Sequence, residues 1–267
     1  MILSYDSIQN RAAWEAAGVT LPKFDWKDMA TETEARPTWV HLGSGSLFRA
    51  FHAMLQQSLI EQGLVKGGLY TAETFDYEIV DNTYGPYDNL SLLVTLMPDG
   101  NMEKTVVGSV AGALRADQSF PEDWERLKAI FRNPSLQLIT FTITEKGYAL
   151  TGMDGSFTPL AEKDFAAGPE GCVSAMGKVT ALLLERYKAG KYPMAVVSTD
   201  NCSRNGEKIR NSVVTMVDKW VENGFASKEF AAWVEDEANV SFPWTMIDKI
   251  TPPARPRRGE GPGRRRV

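Results

Sequence analysis

The chain has 267 residues, 43% of them hydrophobic and 24% charged, proportions of a soluble globular protein with one large domain or two ordinary ones. No run approaches the ~20 apolar residues of a membrane helix, and Met1-Ile2-Leu3-Ser4 lacks the basic and apolar blocks of a secretory signal. The net charge of −5 is uneven, about +5 on Pro252–Val267 and about −10 on the rest, which argues against a nucleic-acid surface.

Residues 1–37 show no clear period and are read as an N-terminal segment packed on the main domain, residues 38–251. Thr38–Leu42 reads as a short buried strand that stops at Gly43-Ser44-Gly45-Ser46, after which Phe48, Phe51, Leu55 and Leu59 recur at helical spacing up to Gly63. Gly68–Glu73 is a second strand, and strand, glycine turn, helix and strand make a βαβ unit. Leu90–Leu96 and Thr105–Val110 flank Pro98-Asp99-Gly100-Asn101, a hairpin inserted beside the parallel core. A helix over 124–131 leads to strand 136–142, and a helix over 173–187 leads to strand 192–198. Helices over 208–222 and 228–237 close the body. The fold class expected is a Rossmann-type, doubly wound α/β domain with a mainly parallel sheet. Residues 252–266 hold no large apolar side chain, and 252–267 are expected to be disordered.

Four segments carry chemical possibilities. Gly43 and Gly45 allow a tight turn and the approach of a pyrophosphate to a helix N-terminus, with Leu42, Ser44, Ser46, Leu47, Phe48 and Arg49 around it. Phe48 stands where the dinucleotide pattern has a third glycine, so an ordinary turn or a methyltransferase loop uses the same residues. Glu73 ends the second strand, where a carboxylate accepts from an adenosine ribose and repels the extra phosphate of NADP; Asp76 competes for that role. Thr144-Glu145-Lys146-Gly147-Tyr148 follows a strand that opens onto the same crevice, though Gly147 also serves as a plain turn. In Asp200-Asn201-Cys202-Ser203-Arg204-Asn205-Gly206, the Asn201 amide is suited to a carbonyl oxygen gaining charge, while an Asx turn and helix cap explain the same residues. Two cysteines, Cys172 and Cys202, point to reduced thiols in a cytoplasm. His41 and His52 alone give little basis for a metal site or a serine–histidine hydrolase.

Together these segments resemble the polyol-specific long-chain dehydrogenases/reductases, which include mannitol 2-dehydrogenase and fructuronate (mannonate) reductase. His41-Leu42-Gly43-Ser44-Gly45-Ser46-Leu47-Phe48-Arg49-Ala50-Phe51 is similar to the family's His-x-Gly-x-Gly-x-Phe-x-Arg-Ala-His, with Leu47 and Phe51 departing from it. Thr144–Tyr148 resembles Thr-Glu-x-Gly-Tyr, and Asp200–Gly206 resembles Asp-Asn-x-x-x-Asn-Gly. Phe242–Pro252 resembles Phe-Pro-x-x-Met-Val-Asp-Arg-Ile-Thr-Pro, bringing in Asp248 as a substrate-binding candidate. Tyr84-Gly85-Pro86-Tyr87-Asp88-Asn89-Leu90 inclines the reading toward a fructuronate-reductase-like member.

The resemblance implies NAD-dependent hydride transfer to or from a polyol or sugar acid, with NADP less favoured. Asn201 would bind the substrate oxygen and serve catalysis. Leu42–Arg49, Glu73, Thr144, Glu145 and Asp200 would surround the cofactor. It also implies a helical C-terminal domain with a lysine base, a further asparagine and a histidine, none of which is recognisable here. The Arg-, Gly- and Pro-rich run after Thr251 is what a shifted reading frame in a GC-rich gene would give. A truncated chain with an exposed domain-docking face, prone to self-association, is the expectation, with no nucleic-acid or membrane partner.

Overall fold

The computed structural model of the chain describes residues 2–248; the run expected to be disordered and the last part of the Phe242–Pro252 match lie outside them. Nine strands are described: β1 (Val19–Thr20), β2 (Trp39–Leu42), β3 (Leu69–Glu73), β4 (Ser91–Leu96), β5 (Met102–Val107), β6 (Val110–Arg115), β7 (Leu138–Phe141), β8 (Met194–Ser198) and β9 (Val240–Ser241). The helices are α1 (Tyr5–Ile8), α2 (Arg11–Ala16), α3 (Trp26–Ala35), α4 (Ala53–Glu61), α5 (Pro121–Arg132), α6 (Pro159–Ala167), α7 (Ala175–Gly190), α8 (Asn205–Glu222) and α9 (Lys228–Glu235). A wide π turn, Phe48–His52, precedes α4.

The main sheet runs β6-β3-β2-β7-β8-β9, and every pairing is parallel. From β2 the chain winds outward through β3 to β6, then returns to β7 and winds the other way through β8 to β9. This is the doubly wound dinucleotide-binding order, with its switch point between β2 and β7. Beside it, β4 and β5 form the expected antiparallel hairpin, and β1 from the N-terminal segment adds in parallel to β5.

One expectation is corrected here. The run Thr105–Val110 is split between two sheets: Thr105–Val107 belong to β5, the second arm of the hairpin, whereas Val110 opens β6, the third strand of the main sheet. Gly108 and Ser109 make the break, and Val-Ala-Gly-Ala-Leu-Arg has too few β-branched residues to announce a strand. The short elements α6 and β9 also escaped the periodicity.

Local chemistry explains the helices. Ser174 caps α7, its Oγ accepting from Gly177 N–H at 3.0 Å. Thr158 caps α6 before Pro159, and Ser227 caps α9. Helix α8 buries Ile209, Val213, Met216, Val217 and Trp220 at helical spacing, whereas α7 is buried on nearly every face. These side chains, with Val40, Leu42, Ile139, Phe141 and Val196 of the strands, form the main core. A second cluster around Phe48, Leu69, Tyr84 and Val110 fills the opposite face. Among the described residues no helix is long and apolar enough to cross a membrane.

Two buried polar features depart from this apolar pattern. Arg186 is fully buried, and its guanidinium donates to five carbonyls, those of Tyr192, Phe131, Asn133, Leu136 and Pro193, at 2.6–3.0 Å. It therefore pins the end of α5 to the starts of β7 and β8, and burial pushes its pKa down to about 10. His41 and His52 lie 4.4 Å apart, centroid to centroid, under the β2 turn. Burial, then the neighbouring His52, holds His41 well below 6.5, and burial lowers His52 to about 4.

Arg186→Met should destabilise the fold by ~3 kcal/mol in urea unfolding, because five carbonyls lose their donor in the interior; a loss below ~1 kcal/mol would contradict that role. The histidines set a pH dependence of definite sign. Below about 6.5 the unfolded chain binds protons that the native chain refuses, so stability falls as pH drops toward about 4. Between pH 7.5 and pH 5, His52→Leu should recover roughly 2 kcal/mol of that loss. An unchanged slope would show that His52 titrates normally.

Candidate functional site

The register places four strand ends side by side. Leu42 pairs with Ala72 on one side and Phe141 on the other, and Phe141 pairs with Ser198. The loops beginning at Gly43, Thr74, Thr142 and Thr199 therefore leave the same carboxyl edge. The Gly43–Gly45 turn follows β2 and Asn201 follows β8, so the two lie on either side of the switch point along this edge.

At its centre two chain segments nearly touch. Gly43 has φ +110°, and a Cβ there would lie 2.5 Å from the Thr142 carbonyl oxygen and 2.7 Å from Thr142 Oγ1. Only glycine fits this approach. Gly43 N–H donates to Ala72 O at 2.9 Å, and Thr142 N–H to Leu42 O at 2.9 Å, so both turns grow directly out of the ladder.

The next residues line the opening. Ser44 Oγ bonds Thr71 Oγ1 at 3.0 Å, and the Ser44 carbonyl accepts from Tyr84 OH at 2.7 Å and Arg49 Nη1 at 2.9 Å. Arg49 Nη2 reaches Ser46 Oγ at 3.3 Å. Gly45 has open space where a Cβ would stand. Among the described residues none accepts from the amides of Gly45, Ser46 and Leu47, the free donors that a helix N-terminus turns toward an anion. Leu42 and Phe48 have fully buried side chains, so they offer this opening backbone only. Phe48 stacks on His41 at 4.7 Å and fills the space that a third glycine would leave between helix and sheet.

Glu73 sits beside these amides. Its Oε2 accepts from Ser44 N–H at 3.0 Å, and its Oε1 from Thr74 and Phe75 N–H at 2.9 and 3.1 Å. A carboxylate offers about four acceptor sites, so one remains open to a hydroxyl. Its cross-strand neighbour Arg115 is committed to Asp123 at 2.6 Å and Asp81 at 3.4 Å. Phe75, two residues on, is 89% exposed. Buried Lys178 holds the loop behind Glu73, donating to Thr74 O at 3.1 Å and Tyr77 Oη at 2.7 Å and pairing with Asp117 at 2.7 Å. Burial alone would raise the Asp117 pKa, but hydrogen bonds from Lys178 and Ser119 hold it well below the usual range. Sequence reasoning missed Tyr84, Phe75 and the Lys178–Asp117 pair; Tyr84 alone lay in a segment already singled out.

Across the switch point the site is built on Asp200. Its carboxylate accepts from Ile143 N–H at 3.0 Å, from Thr144 N–H at 3.2 Å and from Tyr148 OH. Burial, then the Asp200 charge, pushes the Tyr148 pKa up, so the phenol stays a donor. These bonds hold Thr144 at φ +65°, costly for a β-branched residue. Glu145 is exposed and pairs with Lys208. The Asn201 side chain is exposed, and none of the described residues hydrogen-bonds to it.

Asn205, by contrast, is buried and saturated. Its Nδ2 donates to Asp200 O at 3.1 Å and Thr245 Oγ1 at 3.0 Å, and its Oδ1 accepts from Thr245 N–H at 3.1 Å. A Cβ at Gly206 would lie 2.6 Å from the Pro243 carbonyl oxygen. Two motifs forty residues apart are thus one packed unit that delivers the chain toward Asp248, itself exposed.

Comparison with known proteins agrees with this geometry. Residues 37–261 match the mannitol dehydrogenase Rossmann domain. The chain is 49% identical over 252 residues to a D-mannonate oxidoreductase of Thermotoga maritima, covering 94% of this chain and 46% of that protein. It is 30% identical to a mannitol 2-dehydrogenase of Cereibacter sphaeroides, covering 91% and 47%. The solved ternary complex of Pseudomonas fluorescens mannitol 2-dehydrogenase with NAD and D-mannitol superposes with a TM-score of 0.75 at 26% identity, covering 94% of this chain and 48% of that one. The chain thus spans about half the length of the curated relatives it matches. Strand order, glycine turn and sequence match agree: this chain belongs to the mannitol dehydrogenase family, of which it carries the Rossmann domain.

Proposed function

We propose that the crevice at the switch point binds NAD(H) and that residues 38–251 are the nucleotide domain of an enzyme oxidising a polyol or sugar acid, of the mannonate–fructuronate type first. The observation that carries this reading is the row of free amides at Gly45, Ser46 and Leu47 beside a Glu73 carboxylate with one acceptor site left. The amides and the remaining Arg49 donors would hold the diphosphate, Glu73 the adenosine ribose, and Phe75 one face of the adenine. Glu73 repels a 2′-phosphate, and Arg115 is already neutralised by two carboxylates, which favours NAD over NADP. Thr144, Glu145 and Asp200 would border the nicotinamide end, Asp200 by holding the Thr144 backbone in place. The nicotinamide, when bound, supplies or takes the hydride.

Asn201 would donate its amide to the substrate oxygen as charge develops there, and Asp248 would contact the substrate from the segment stapled by Asn205. By family resemblance the lysine that handles the hydroxyl proton belongs to the half of the relatives that this chain does not span. The chain alone would then bind NAD weakly and turn over orders of magnitude slower than a full-length relative. Met153, Trp244 and Met246, at 109%, 62% and 93% exposure, would form part of the face that the other half covers, giving a tendency to self-associate.

Titration of NADH fluorescence tests the reading. NADH should bind at least about tenfold tighter than NADPH. Gly43→Ala should abolish binding, since its Cβ meets Thr142 at 2.5 Å, and Phe75→Ala should weaken it a few-fold. Tighter binding of NADPH would overturn the cofactor assignment, and brisk oxidation of D-mannonate or D-mannitol by this chain would overturn the division of labour between the two halves.

A further inference from the structure

His41 is absent from every site role assigned above, yet both of its ring nitrogens are hydrogen-bonded beside the crevice. It is fully buried on β2, between Phe48 and His52. Its Nδ1 lies 2.6 Å from Thr140 Oγ1 and its Nε2 lies 2.9 Å from Thr142 Oγ1, both on the neighbouring strand or just past its end. Trp39, two residues before it, points its indole Nε1 at the same Thr140 Oγ1, 2.8 Å away.

The direction of these bonds follows from the donor inventory. An indole N–H only donates, so Thr140 Oγ1 accepts from Trp39. Among the described residues the Thr140 hydroxyl hydrogen then has one acceptor in reach, His41 Nδ1. An imidazole whose Nδ1 accepts and which stays neutral carries its proton on Nε2, so Nε2–H donates to Thr142 Oγ1. The Thr142 hydroxyl is left facing the Gly43 carbonyl at 3.5 Å. A single polarised chain therefore runs Trp39, Thr140, His41, Thr142, Gly43, crossing four times between the two strands that flank the switch point or the turns that leave them.

We propose that His41 is a positioning residue for the nucleotide turn, locked as its neutral Nε2–H tautomer so that Thr142 is held against Gly43. A charged imidazole would need an acceptor at Nδ1, where the Thr140 hydroxyl is already oriented by Trp39 as a donor. Neither His41 nitrogen faces the crevice, so the residue acts through Thr142 and not on substrate or cofactor. Loss of the chain would leave the strands paired and loosen the meeting of Gly43 with Thr142. This inference rests on the NAD(H) reading only for its effect on affinity; tautomer and turn order stand apart from it.

The test uses the chain with 15N-labelled histidine and the pair Thr140→Val and Thr140→Ser. Ring nitrogen shifts should place the His41 proton on Nε2 in the parent chain. Thr140→Val should move it toward Nδ1, speed exchange of the Gly43 and Thr142 amides about tenfold, and weaken NADH by a similar factor. Thr140→Ser, which keeps the hydroxyl, should restore all three. Thr142→Val offers a second break outside the core, with the same loss of amide protection and the tautomer unchanged. A proton on Nδ1 in the parent chain would overturn the proposal, as would a Thr140→Val chain with a switched tautomer and unaltered amide exchange. If the parent chain binds no NADH, the nucleotide reading fails while the tautomer and exchange results still decide this one.

Discussion

The site is organised around the meeting of Gly43 with Thr142. Two parallel strands end level with each other, and the chains leaving them diverge to opposite faces of the sheet. The gap between them opens only if one backbone can turn sharply at the point of closest approach. Gly43 does so at φ +110° with the Thr142 carbonyl where a side chain would start. Because that turn is tight, the next amides are presented at the start of a helix with no acceptor of their own. Every function proposed for the chain depends on those unspent donors.

Around this point buried and half-buried polar contacts hold loops, not strands. Asp200 fixes the loop after β7 from the end of β8, Glu73 ties its own strand end to the glycine turn, and Lys178 anchors the segment behind Glu73. Asn205 and Gly206 lock the Phe242–Thr245 segment against the start of α8. Each is a group whose loss leaves backbone donors or acceptors of a loop without a protein partner, which makes the arrangement stiff. Asn201 is the exception, exposed and unengaged among groups that are neither.

The parallel core was legible because its strands are short apolar runs followed by glycine or Asx turns, and its helices repeat every three to four residues. The third strand was not, since Val110–Arg115 is built from alanine, glycine and leucine and is separated from β5 by only two residues. The glycine turn, Glu73 and the Asp200–Gly206 segment could be found because each follows a strand end. What Asp200 and Asn205 do could not, because their partners lie forty to fifty-seven residues away in sequence. Nor could the commitment of Arg115 to Asp123 and Asp81. Tertiary pairing of that kind leaves no local trace.

The proposed dinucleotide site occupies one edge of the sheet, at the β2–β7 switch point. Backbone amide shifts followed by NMR during an NADH titration test it most directly. Saturable shifts are expected at Gly45, Ser46 and Leu47, extending to Thr74 and Phe75 on one side and to Thr144 and Asn201 on the other. Shifts confined to the opposite edge, near Gly68, Gly108 and Leu136, or a titration that leaves the glycine turn unmoved, would contradict it.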